Sequence, residues 1–451
     1  MDKKRKLWDK GKAILPLLER FETGSDLVLD SNLARYDIIG SLAHAKMLNR
    51  IGIISDNELR SLFGGLRSAL ALKEAGKFEL SFGDEDIHTK LENYLARRCG
   101  DAGYKIHTAR SRNDQVLTAL RLYLKDRMLC IRQKALDLSR IFLVFAKTYE
   151  FVPMPGYTHM QRAMPSSVGM WAESFSEALL DDLELVESAY AVNDQLPLGS
   201  AAGYGVPIKV DREYVRSLLG FSRIQRNSLY CQNSRGKIEL AVVGALVAVM
   251  MDIARFASDV LIFTTKEFGF FDVSQNLLTG SSIMPQKNNV DIAELLRSKQ
   301  GLMTGYYVQI ADIAKGLPSG YNRDLQDIKK PLIEAVDLAE SSLDVAILLV
   351  KGIKPNAGAM EAALTPEIFA THNAFKLVKQ GVPFRKAYRE VASHMEQIER
   401  PDLKHSLLQS SHIGATGNIG IPETRYKIGL LQKKLSRERT AFDSHLKKLE
   451  N

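Results

Sequence analysis

Nine residues near the middle of this 451-residue chain, from Ser281 to Asn289, gather two hydroxyls, three amides and the ammonium of Lys287. Gly280, the two serines and Pro285 oppose a helix here, so an exposed loop is expected. Such a set suits an anionic ligand, with donors for its oxygens and one fixed positive charge. An ordinary polar connection would have the same composition, but loops on rigid scaffolds carry a large share of function. In a second stretch, Gly156-Tyr157-Thr158-His159-Met160-Gln161-Arg162, His159 is the natural proton carrier near neutral pH. In a third, Ser111, Arg112 and Asn113 precede an expected helix, where they can offer N–H and guanidinium donors to a carboxylate. Arg110 is expected instead to pin that loop to an acidic neighbour. Further on, Gln326 and Lys329 sit three apart, on one helix face.

Long helices must position these groups. Asn113 or Asp114 should cap the first, whose apolar stripe Leu117, Leu120, Leu124, Met128, Ile131, Ala135, Leu138, Phe142 and Phe145 is spaced by three or four. It must stop before Pro153-Met154-Pro155-Gly156. Ser166 and Ser167 open a second helix reaching about residue 193. Others are expected over 237–266, 291–315 and 325–351. The glycine-rich stretch 197–205 has neither Walker nor dinucleotide spacing and is read as close packing.

Shorter helices fill both flanks. Ser31 is expected to cap one that runs to Gly52, and Ser55 with Glu58 forms a capping box. His88, at a helix start, is read as structural. No strand is expected. The fold class is therefore all-α, with an N-terminal helical domain at 1–112, a central bundle at 113–352 and a small helical domain at 353–451. Five such helices cannot hide their apolar surface in one isolated layer, so oligomerisation through the bundle is expected.

Composition narrows the function. Hydrophobic residues make up 45% and charged residues 25%, as in a globular protein with a large core. The net charge of +8 is interspersed with acids and has no basic run interleaved with aromatics, so nucleic acid is not the expected partner. The longest apolar run, 240–251, is too short for a membrane span of about 20 residues and reads as a buried helix. The basic start lacks a following apolar region, and Cys99, Cys130 and Cys231 are scattered, so a reduced cytoplasmic setting is expected. No His/Cys/Asp cluster has metal-ligand spacing, and neither metal nor cofactor is expected.

The stretch GSSIMPQKNN resembles the signature loop of the fumarase/aspartase superfamily of fumarate-releasing lyases. His107-Thr108-Ala109-Arg110-Ser111-Arg112-Asn113-Asp114-Gln115 resembles the version found in argininosuccinate lyases. The likeness runs from Lys6-Leu7-Trp8 to about residue 351 and more weakly beyond. It implies reversible elimination of argininosuccinate to arginine and fumarate in arginine biosynthesis, by a homotetramer whose active sites are shared between subunits. On this resemblance Ser281 is the general base, and Lys287 steadies its alkoxide and the carboxylate where charge builds up. His159 serves the leaving guanidinium, and Glu294 raises its basicity. Thr158, Gln161, Asn289, Tyr321, Gln326, Lys329 and Arg235 join Ser111, Arg112 and Asn113 on the substrate. The chain departs from the family at Val290, usually proline, at Asn288, commonly lysine, and at Asp26, where serine is usual and Ser25 is adjacent.

Overall fold

The computed structural model describes residues 15–24, 26–81 and 84–450. Lys6-Leu7-Trp8 and Ser25, named above, lie outside the described residues. Helix α1 spans Asp26–Arg50. Ser31 is inside it rather than at its cap, and its Oγ donates to the Val28 carbonyl at 2.7 Å, which satisfies the hydroxyl within the helix. Helix α2, Asp56–Glu74, opens on the expected capping box: Ser55 N–H donates to Glu58 Oε2 at 2.8 Å and Glu58 N–H to Ser55 Oγ at 3.3 Å. Helix α3 is Ile87–Cys99, capped by Asp86.

Helix α4 runs Arg112–Thr148, 37 residues, or about 55 Å at 1.5 Å per residue. Its cap is Ser111, not Asn113 or Asp114. Ser111 is extended at φ −126°, ψ 154°, and the Asp114 side chain three positions on closes a capping box, so the helix begins less than one turn earlier than expected. Asp114 then accepts from Gly199 and Ala201 N–H, both at 2.9 Å, through its other oxygen. The glycine-rich stretch is thus drawn against the start of α4.

After α4 come two strands that the sequence argument did not anticipate. β1, Pro153–Thr158, pairs antiparallel with β2, Gln161–Ser167. The prolines that ended the helix are tolerated because a two-stranded ribbon has open edges where a missing N–H costs nothing. Thr158 faces Gln161, so His159 and Met160 form the two-residue turn, at φ 52° and 60°. Both residues therefore sit in the left-handed region that a tight hairpin with natural twist demands.

Ser167 caps α5, Val168–Asn193, as expected. Helix α6 is Lys237–Phe263, and α7, Asp291–Ala314, follows a small ribbon of β3, Thr279–Gly280, and β4, Asn288–Asn289. Helix α8 is Lys329–Gly352; its expected first turn is instead a separate 3-10 turn, Arg323–Gln326. The last stretch also differs from expectation. Besides short helices it holds α9, Ile421–Glu450, a 30-residue helix laid along the bundle. Arg132 of α4 pairs with Glu438, Gln432 Nε2 donates to Gln133 Oε1 at 2.9 Å, and Thr424 Oγ1 donates to Glu173 Oε1 at 2.6 Å. A small second core of Leu364, Ile368, Phe369 and Ile398 lies apart from the main one.

The bundle has two distinct ends. At one, Asn193 Nδ2 donates to the Arg121 carbonyl at 3.0 Å and Arg121 Nη2 donates to Ser234 Oγ at 3.1 Å. Gly236, at φ 79°, leaves no room for a Cβ against Ala314, which brings the close of α7 to the same end. At the other end Trp171 Nε1 donates to Asp259 at 2.9 Å, and Tyr157 of β1 packs on Phe263 with centroids 6.3 Å apart. Residues 271–273 pair there with 353–355, beyond the close of α8. An aromatic cluster holds this far end: Phe256 meets Phe142 edge-on at 4.9 Å and Phe175 at 5.6 Å, and Trp171 lies 5.4 Å from Phe175. By length and composition alone the helix holding α6 could cross a membrane, but half of its most apolar window is buried inside this chain, as in a core helix.

Candidate active site

At the near end, the start of α4, the start of α1 and the connection from α7 to α8 enclose a cleft of about 260 Å³. Asn113, Arg112, Arg235, Tyr321, Gln326 and Lys329 all line it, as the sequence argument requires of substrate-binding residues. Lys329 is almost fully buried and carries two carboxylates, Asp30 Oδ1 at 2.7 Å and Asp26 Oδ2 at 3.0 Å. Burial disfavours its ammonium, but Asp30 and Asp26 outweigh that and raise its pKa. Burial also pushes Asp26 up to about 6, against the pull of Lys329. Arg235 is 8% exposed, lies 4.9 Å over the Tyr321 ring, and has no hydrogen-bond partner at Nη1 among the described residues. Gln326 Nε2 donates to the Glu22 carbonyl at 2.8 Å.

Two arginines have surroundings other than those expected. Arg112, expected to face a substrate carboxylate, grips Glu85 with both terminal nitrogens, at 2.9 and 3.2 Å, and donates to Thr89 Oγ1 at 2.8 Å. Arg110, expected to pin the loop to an acid, is buried and donates to Ser41 Oγ at 2.9 Å. Ser111 spends its hydroxyl on the helix cap, accepting Asn113 N–H at 3.3 Å, and does not line the cleft.

The remaining candidates sit at the far end. Thr158, His159 and Gln161 are exposed at the tip of the β1–β2 hairpin. Ser281 lies just past β3, with Lys287 exposed just before β4 and Asn289 within it. Ser281 Oγ accepts the N–H groups of Ile283 at 3.3 Å and Met284 at 3.1 Å. These are the donors that would stabilise negative charge on that oxygen, although the same contacts also serve a loop turn. Val290 caps α7 with no side-chain hydrogen bond. Glu294, in the first turn of α7, is exposed and forms no ion pair with His159 among the described residues of one chain. None of Thr158, His159, Gln161, Ser281, Lys287, Asn289 or Glu294 lines the cleft.

Sequence reasoning missed some of the cleft. Asp30 and Glu22 line it without having been singled out, Glu85 and Asp86 of the acidic turn before α3 line it without having been given a role, and His88, read as structural, lines it too. Asp26 and Asp30 are four apart on α1 and so share a face, which is the signal that could have found the pair. No local signal gives Glu85 its role, which depends on a guanidinium from another helix.

A family profile described as lyase matches residues 20–305. The argininosuccinate lyase of Thermotoga neapolitana is 43% identical over 387 residues, 86% of this chain and 97% of that relative. That of Sorangium cellulosum is 42% identical over 418 residues, covering 93% of this chain and 97% of the relative. Among solved structures, EDDS lyase in complex with formate has a TM-score of 0.84 at 21% identity, over 97% of this chain and 95% of that one. Class II fumarase from Schistosoma mansoni has a TM-score of 0.70 at 17% identity, over 84% and 91% of the two chains. These structures share the fold. Sequence identity of this extent goes further than fold, and with it the chain belongs to the argininosuccinate lyase family and is a lyase.

Proposed function

We propose that this protein cleaves argininosuccinate reversibly to arginine and fumarate, as a cytoplasmic homotetramer in arginine biosynthesis, with Ser281 as general base. The reaction breaks a C–N bond beta to a carboxylate. A base takes the carbon-bound proton, charge builds on the carboxylate, and an acid protonates the departing guanidino nitrogen. Ser281 Oγ takes the proton, steadied by the two loop N–H groups it already accepts from. Lys287 and Asn289 hold the carboxylate as it gains charge, which supplies the largest rate term. His159, oriented by Glu294, serves the leaving group, and Thr158 and Gln161 hold substrate oxygens. Asn113, Arg112, Arg235, Tyr321, Gln326 and Lys329 bind the rest, with Ser111 setting the helix start that carries Asn113. The reading uses no metal or cofactor.

The observation that carries this reading is the separation of the candidates. Asn113 and His159 lie at opposite ends of α4, roughly 50 Å apart by its length, which no loop closure within one chain can span. Antiparallel packing of copies would bring the far end of one against the near end of another. Met251, Leu295, Leu302 and Val308 of α6 and α7 remain exposed and supply apolar surface for it. The division at residues 112 and 352 belongs to the same reading, with α9 reaching back onto the bundle.

Fumarate release, followed by absorbance on adding argininosuccinate, tests the activity. A folded tetramer that is silent on argininosuccinate but active on adenylosuccinate or malate would transfer it to a sister reaction. Ser281→Ala should lower turnover by about 10²- to 10⁴-fold with the oligomer intact. Retained turnover would remove Ser281 from the mechanism.

A further inference from the structure

We infer that Arg162 is a positioning residue for the elimination: it ties the tip of the β1–β2 hairpin to the chain on either side of Leu364 and so fixes the bearing of His159. The inference rests on the proposed function, which gives His159 the leaving group.

The tip needs an anchor of its own. Two strands alone are marginally stable in water, and this ribbon also carries a register shift between Gly156 and Tyr157. A shift of that kind bends the strand and loosens what lies beyond it from what lies before. Only two rungs lie beyond it, Tyr157 opposite Arg162 and Thr158 opposite Gln161, and the turn of His159 and Met160 follows. Thr158, His159, Met160 and Gln161 are all exposed. The rung of Tyr157 and Arg162 is therefore the place from which the tip can be aimed.

Both members of that rung are held from outside the ribbon. The Tyr157 ring packs on Phe263 and Phe268, with centroids 6.3 and 5.7 Å away. Arg162 Nη1 donates to the Ala363 carbonyl at 2.9 Å and to Thr365 Oγ1 at 3.2 Å. These acceptors flank Leu364, which is 1% exposed in the small second core, so the guanidinium grips a fixed point. Thr365 in turn donates to Glu367. That bond, with a lesser pull from the Arg162 cation, holds the Glu367 carboxyl below its usual value. Lysine would bring the charge to this place but not the planar fork. The Arg162 contacts are exposed, and surface contacts of this kind add little to stability. Their weight is geometric, since a misplacement of roughly 1 Å can cost about 10²-fold in rate.

Steady-state kinetics of the full-length enzyme on argininosuccinate test the assignment. Arg162→Ala should lower kcat at least about tenfold and leave KM within about threefold, because most groups that hold substrate lie in the cleft of another copy. The oligomer and the unfolding midpoint should match the unaltered enzyme, and the pH profile of kcat should keep its shape at the lower level. Arg162→Lys should recover part of the loss, and it stands in if the alanine variant does not fold. Thr365→Val should lower kcat by less and add nothing further when combined with Arg162→Ala. Turnover retained in Arg162→Ala overturns the inference. So does a rise in KM that accounts for the fall in kcat/KM, which would put Arg162 on the substrate itself. Independent effects of the two substitutions overturn it as well. A failed elimination activity would show earlier and differently, as no fumarate released by the unaltered enzyme.

Discussion

His88 holds a charge where little water reaches it. It is 2% exposed, and its Nδ1 lies 2.8 Å from Asp37 Oδ1. Burial works against the imidazolium, but the carboxylates of Asp37, Asp86 and Asp30 together outweigh burial and raise the pKa to about 9. A histidine with a folded pKa above its unfolded value of 6.5 stabilises fully below pH 6.5, and that contribution is lost as pH rises through 9. We expect stability to fall by on the order of 3 kcal/mol between pH 6 and pH 10, and His88→Gln to flatten that dependence. Urea unfolding midpoints of both proteins across this range would check it. At this scale the sequence was informative where one residue type at one place suffices. Asn113, Arg235, Tyr321, Gln326 and Lys329 reach one cleft as argued from their motifs. It was least informative where a group's task depends on a remote neighbour. Arg112 and Arg110 have partners other than those expected because Glu85 and Ser41 arrive from other parts of the chain.

Helix stripes were readable because burial repeats every three or four residues whatever the partner. The far end of the bundle rests on the rings of Phe142, Trp171, Phe175 and Phe256, which hold α4, α5 and α6 together beneath the β1–β2 hairpin. Phe256 is 1% exposed, and Phe256→Ala should cost about 3–5 kcal/mol by guanidinium unfolding. If the hairpin's aim depends on this cluster, kcat should fall under conditions where the variant is still folded. Two elements escaped the sequence argument for opposite reasons. The hairpin is held by backbone pairing, for which Pro153, Pro155 and Pro165 leave no propensity signal. Helix α9 did have a signal: Ile421, Ile428, Leu435, Phe442 and Leu449 recur every seventh residue and are all buried. The segment was nevertheless expected only as one of the short helices that fill the flank.

At the scale of the whole molecule, the proposed site joins opposite ends of two copies, so defects at the two ends should complement. Ser281→Ala damages only the far end and Lys329→Met only the near end. Unfolding and refolding the two inactive variants together in equal amounts should restore about a quarter of normal activity, the share of sites that draw one intact end from each parent. Refolding either alone should restore none. Recovered activity at or near zero, with mixed oligomers verified by mass, would place both ends of each site in one chain. The 37-residue span of α4 then takes on a further meaning. It acts as a ruler, since the hairpin at its tip must meet a cleft whose position is set by the same rod in a neighbour. One inserted residue would swing the tip by about 100° around the rod, while seven would restore its bearing but overshoot by roughly 10 Å. Neither chain could repair the mismatch alone, so the rod's length is tied to the assembly and would change only together with it.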